Sequence, residues 1–197
     1  MKQTIWAALM LVAAGWTGEA AAASPFMPTG GRSTQPIGHW EFCQNDPDEC
    51  LPGGGPAAPV ELTKALWKIV LDVNAFANAT ITPRTDLEMW GREEVWSYPD
   101  GYGDCEDYVL EKRRELIAHG VSASALLVTV VRQSNGEGHA VLTLRTDRGD
   151  FILDNLEARV LRWSETGYTF LKRQAERAPG AWVSIEDGRA TAVGSVR

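Results

Sequence analysis

Histidine and cysteine are scarce in this chain, three of each among 197 residues, and that scarcity is informative. A tetrahedral zinc cage needs four clustered nitrogen or sulfur ligands. Cys43 and Cys50 are near neighbours, but no second Cys or His pair stands close enough to complete such a set. An excess of basic residues is missing too. The formal net charge of −7 argues against nucleic acid, whose phosphates require a basic footprint. No internal repeat appears, which excludes solenoid and propeller architectures. Beyond residue 23 no apolar run is long enough to cross a bilayer as a helix.

The one continuous apolar run, Ile5 to Ala14, follows Lys2 and precedes Ala21-Ala22-Ala23. A positive start, a short apolar centre and a small-residue end form a secretory signal, and the run is too short for a retained membrane anchor. Residues 1–23 are therefore expected to be a cleaved signal peptide, and the mature protein to be soluble and exported. What remains has ordinary apolar content and fits one domain with a sizeable core.

Export makes the cysteine count meaningful, because an oxidising compartment favours pairing and an odd count leaves one thiol over. Cys43 and Cys50 enclose QNDPDE, whose Pro-Asp turn can bring them together, whereas Cys105 lies far along the chain. The economical reading is a local Cys43–Cys50 disulfide and a free Cys105. Residues 24–58 are rich in Pro, Gly and polar residues, and are expected to form an extended arm pinned by Trp40, Phe42 and the disulfide. Residues 59–197 then form the folded domain.

Within it, Leu62, Leu66, Trp67, Ile69, Val70, Val73 and Phe76 recur at helical spacing, with Pro83 beyond the end. The stretch at 84–103 mixes aromatics with turn formers, and Trp90 and Trp96 are expected to pack there. A second helix is expected from about Cys105 to His119. Asp104 would be its N-cap, Val109, Leu116 and Ile117 its buried side, Lys112-Arg113-Arg114 a solvated face and Gly120 its stop. SALLVTVV at 124–131 is a buried strand, and HAVLTLRT and DFILDN alternate around a hairpin turn. A short helix is expected near GYTFLKRQAER, with Trp182 as an aromatic anchor. Helices followed by strands in antiparallel sequence describe an α+β domain.

The free thiol stands where the second helix begins. Unpaired N–H groups and the helix dipole at such a position stabilise an anion, but the flanking Asp104 and Glu106 oppose a thiolate, so a base is required. His119 ends the same helix, roughly 21 Å away at helical rise, and is too far. His39 lies in the arm and is expected to be mobile. His139 opens a strand after the flexible SNGEG, and the partner strand ends in Asp154. With a two-residue turn at Asp147-Arg148, Asp154 faces Val141, one diagonal step from His139 and within reach of a carboxylate–imidazole contact. A turn one residue longer would put it on the other face, so the register decides. Taken singly, a lone Cys is more often an inert small hydrophobe, a strand-end His a satisfied polar group, and an Asp before Asn turn chemistry. In the order Cys, His, Asp they make the nucleophile, base and orienter of thiol catalysis.

GYGDCEDYVLEKRREL, GEGHAVLTLRTDRGDFILDN and the upstream VWSYP resemble the bacterial transglutaminase-like cysteine proteinases, the group that includes the LapG-type periplasmic adhesin proteases. The similarity spans about residues 60–185 and leaves the arm at 24–58 uncovered. The resemblance implies a papain/transglutaminase-like fold, N-terminal helices packed on an antiparallel sheet, with Cys105, His139 and Asp154 as the catalytic set. It also implies calcium, with Asp104 and Glu106 as ligands and Asp107 or main-chain oxygens completing the shell. Plain helix-capping and first-turn roles for these acids compete with that reading. By analogy with transglutaminases, Trp96 is the second oxyanion donor beside the Cys105 N–H. The implied activity is periplasmic endoproteolysis of a surface protein, a biofilm adhesin cut near its N-terminus, under an inner-membrane receptor that sequesters the enzyme. Acyl transfer to amines and a non-catalytic calcium-responsive binding module are the two rivals.

Overall fold

In a computed structural model, residues 24–52 and 57–187 are described, and the expected signal peptide at 1–23 lies outside them. The chain enters through strand β1 (Thr29–Ser33) and helix α1 (Ile37–Asn45). A single turn of 3-10 helix at Pro47–Cys50 follows. Helix α2 (Lys64–Thr80) begins where the Thr63 hydroxyl accepts from the Leu66 N–H at 3.1 Å, and it buries Val70, Val73, Asn74 and Ala77. Phe76, on the expected apolar pattern, is 59% exposed.

Strand β2 (Thr82–Pro83) then leads into helix α3 (Asp86–Trp90), which opens on a Thr85–Glu88 capping box. Strand β3 (Tyr102–Gly103) pairs with β2 in parallel and delivers the chain to helix α4 (Cys105–Ala118). Gly120, at φ +86°, ends α4 in the left-handed conformation that glycine tolerates best.

Six further strands complete a seven-stranded antiparallel sheet: β4 (Leu126–Arg132), β5 (Gly138–Thr146), β6 (Gly149–Leu153), β7 (Leu161–Arg162), β8 (Thr169–Ala175) and β9 (Ala178–Ile185). Their order is β1-β9-β8-β4-β5-β6-β7. Val70, Leu116, Leu126, Leu142, Leu144 and Leu153 meet in the core shared by α2, α4 and the sheet. Side chains so fully buried contribute roughly 1.5–3 kcal/mol each relative to exposure. A second cluster, with Met27, Val141, Ile152, Trp163 and Phe170, forms separately. Among the described residues, no helix is long and apolar enough to cross a membrane. The expected mixed helix and antiparallel-sheet class is what the chain adopts.

Five local expectations are corrected. Residues 24–58 are not simply an extended arm: β1 pairs with β9 at the sheet edge, and α1 buries His39 and Phe42, while Trp40 stays half exposed. His39 is therefore fixed, 1% exposed, between Trp96 and Trp182. The face Lys112-Arg113-Arg114 is not wholly solvated, since Lys112 is 0% and Arg113 5% exposed. Helix α4 is covered on most sides, and Arg113 is satisfied inside by Glu49 at 2.7 Å and by the Leu126 carbonyl at 3.3 Å, whereas Ile117 lies at the surface. The helix expected near GYTFLKRQAER is strand β8 instead. Its buried polar residues find partners on other elements, Arg173 at Asp150 on β6 and Gln174 at His39 on α1, which masks the alternation a strand normally shows.

Candidate active site

The β5–β6 hairpin sets the first half of the site. Thr146 pairs with Gly149 and Leu142 with Leu153, so the turn is the two residues Asp147-Arg148, and Asp154 follows directly after β6. His139 Nε2 and Asp154 Oδ1 are 2.8 Å apart, with His139 5% and Asp154 2% exposed. Burial works against a charge on Asp154. Hydrogen bonds from His139, the Tyr168 hydroxyl and the Leu156 N–H outweigh it and hold the carboxyl below its usual range.

The second half is the start of α4. Asp104 occupies the N-cap position without a capping hydrogen bond from its side chain. Cys105 is the free cysteine, and the Cys43–Cys50 disulfide forms as expected. The Cys105 thiol donates to Glu106 Oε2 at 2.9 Å, not to the imidazole. Burial, followed by the Glu106 charge, pushes this thiol well above the usual thiol range, and the main-chain N–H of Ala140 opposes that only in part.

Cys105 and His139 nevertheless share one cleft. They line a cavity of about 760 Å³ together with Trp96, Glu106 and Gly138, and also an adjoining one of about 380 Å³ with Arg84, Asp104 and Leu156. Thr85, Cys105, Gly138 and His139 line both cavities. Trp96 is 7% exposed, and its indole N–H has no partner. The edge of that ring rests on Gly38, where a Cβ would lie 2.4 Å from Cδ1, so α1 supports the wall of the cleft. Trp90, expected to pack beside it, is 57% exposed.

The acids gather into a group that the sequence reading identified only in part. Asp86, Asp104 and Glu106 each offer a ligand oxygen, all within 4.8 Å of one another. Burial first, and then mutual repulsion, raises Asp104 to about 6 and Glu106 to about 8. Burial raises Asp86 as well, although the Val95 N–H bonded to it opposes the shift. One oxygen each of Asp86 and Asp104 is buried without a partner. Buried oxygens left over and carboxylates forced together are what a hard divalent cation would satisfy, so the residues fit calcium. Asp107, expected to share in completing the shell, accepts from the Ser97 N–H at 2.9 Å through one oxygen and keeps the other buried without a partner, and it lies outside this three-acid group. The third acid of the group is Asp86. Its only signal was the capping box TDLE, which reads as an ordinary helix start and gives no hint of proximity to α4.

A model of the bacterial transglutaminase-like cysteine proteinases (BTLCP) matches residues 29–190. The chain belongs to this family. The match takes in β1 and α1, which the motifs alone had left out. Among solved structures, the BTLCP chain is similar to Legionella pneumophila LapG, at 29% identity and a TM-score of 0.51 over 60% of this chain and 68% of that one. A calcium-bound form of the same protein matches at 25% identity and a TM-score of 0.52, over 76% and 81%. An EGTA-treated form matches at 26% identity. No curated protein matches the chain. As a BTLCP member with this fold, the protein is a cysteine peptidase, and its substrates are proteins.

Proposed function

We propose that this peptidase is an exported endopeptidase using Cys105 as nucleophile, His139 as base and Asp154 as orienter. The observation that supports this best is the buried His139–Asp154 pair at 2.8 Å, with His139 lining the same cleft as the free thiol. Asp154 takes the Nε2–H, which leaves Nδ1 as the nitrogen able to accept a proton. His139 then removes the thiol proton, and Cys105 attacks the peptide carbonyl. The Cys105 N–H, at the first residue of α4, and the unpartnered indole N–H of Trp96 are the donors for the oxyanion. Return of the proton to the leaving amine gives an acyl-enzyme, which water hydrolyses.

Calcium belongs to this reading. Asp86, Asp104 and Glu106 would hold it, and when bound it supplies positive charge that offsets their repulsion of a thiolate. Glu106 is also the acceptor of the thiol's hydrogen bond, so its commitment elsewhere would release Cys105 toward His139. The calcium-bound and EGTA-treated LapG structures support the same metal. By likeness to LapG, the substrate is a large surface adhesin cut near its N-terminus in the periplasm, and an inner-membrane receptor sequesters the enzyme. Peptide mapping of periplasmic and surface proteins with native and Cys105→Ala enzyme tests this. New termini are expected with the native enzyme alone, and termini indifferent to Cys105 would refute the reading.

A further inference from the structure

A carboxylate has two equivalent oxygens until its surroundings distinguish them. Asp154 is 2% exposed, so each oxygen must find a donor inside the protein. Oδ1 accepts from His139 Nε2 at 2.8 Å and from the Leu156 N–H at 3.0 Å. Oδ2 accepts from the Tyr168 hydroxyl at 2.5 Å. Tyr168 immediately precedes β8, while His139 stands on β5, two strands away in the sheet, and Asp154 follows β6. Its ring also lies beside the imidazole, with centroids 5.6 Å apart and planes inclined by 54°.

We infer that Tyr168 is a positioning residue of the site: its hydroxyl claims Oδ2, reserves Oδ1 for His139, and so holds the imidazole in the Nε2–H tautomer with Nδ1 as acceptor. This inference rests on the reading of His139 as the base. The phenol stays a donor, because burial and the Asp154 charge push its own ionisation upward. The setting explains why a clamp is needed. Asp154 and Tyr168 both line a further cavity of about 390 Å³, shared with Leu156, Glu157 and Arg159. Without the phenol, Oδ2 would be open to water from that side, and the carboxylate could turn. The charged groups acting on Asp154 and Tyr168 are Lys112 from α4, His139 from β5 and Glu157 from the segment after β6. None of these offers a hydrogen to Oδ2.

The test is nitrogen-15 NMR of histidine-labelled full-length protein at neutral pH, native against Tyr168→Phe. Native His139 is expected as one tautomer, with a slowly exchanging Nε2 proton. In Tyr168→Phe that proton should exchange about tenfold faster or more, the scale of a lost hydrogen bond to a charged acceptor. In an Asp154→Asn background the same substitution should change nothing further, an outcome that a merely structural tyrosine would not produce. If Tyr168→Phe fails to fold, 3-fluorotyrosine incorporated at all four tyrosines supplies a stronger donor and should slow the exchange instead. Unchanged exchange in the variants, or a native ring protonated on Nδ1, overturns the inference. Failure of the proteolytic reading would appear separately, as absence of Cys105-dependent cleavage with these NMR results intact.

Discussion

On the sheet side of the cleft, Asp154 is buried and its charge is met by three donors, whereas on the helix side Asp86, Asp104 and Glu106 crowd together with two buried oxygens unpartnered. Both regions bury carboxylates, yet the carboxyl is held low in the first and pushed high in the second. The difference lies in what the chain itself provides. The Asp154 side is satisfied by donors from three strand-end segments. The Cys105 side has acceptors in excess and lacks a countercharge, which is the condition a bound cation would relieve.

Substitutions at the reacting atoms should separate the halves most sharply. Cys105→Ala is expected to reduce cleavage on the order of 10⁴–10⁶-fold, measured as the rate of product appearance, with thermal unfolding little changed. A variant that still cuts would place the nucleophile elsewhere. On the sheet side, Asp154→Asn keeps the shape but can present its amide to the imidazole, and a loss of roughly 10²–10⁴-fold in kcat is expected. Near-native kcat in that variant would mean the finished half is only structural.

Asp86→Asn removes one of the three clustered carboxylate charges from the unfinished half. Calcium affinity measured by titration calorimetry should fall at least about tenfold, and equal affinity would exclude Asp86 from the site.

The smallest effect is one of pH. Asp104 and Glu106 stand at about 6 and about 8 when folded, above unfolded values near 4. Between about pH 4 and 8 the folded chain therefore binds more protons than the unfolded one. The stability these acids contribute is full below that window and is lost as pH rises through it. A cation takes over the protons' role, so the rise in unfolding temperature on adding calcium should grow from pH 5 to pH 8, by a few degrees. A calcium effect that is flat or shrinks over that range would break the contrast between the two regions.

Legibility in the sequence followed the same division. The pairing of His139 with Asp154 was readable because strands alternate and a two-residue turn leaves one register, and Leu142 does face Leu153. Cys105 was readable because a helix start after a glycine-rich turn is a local event. Asp86 was not, because nothing local links α3 to the start of α4. Lys112 and Arg113 were misjudged for a related reason: a basic run looks solvated until neighbouring elements cover the helix and a partner such as Glu49 is supplied from elsewhere. Strand β8 was hidden because two of its three buried residues, Arg173 and Gln174, are polar and find partners on other elements, Asp150 on β6 and His39 on α1.

By itself the sequence determined the periodicities, the hairpin register and the Cys43–Cys50 pairing, since each depends on neighbours a few residues apart or on residue chemistry alone. Tertiary structure alone decided that α1 supports Trp96, that Tyr168 closes on Asp154 and that Asp86 joins Asp104 and Glu106. Those contacts join segments distant along the chain, and burial there turns ordinary polar residues into groups that must find a partner.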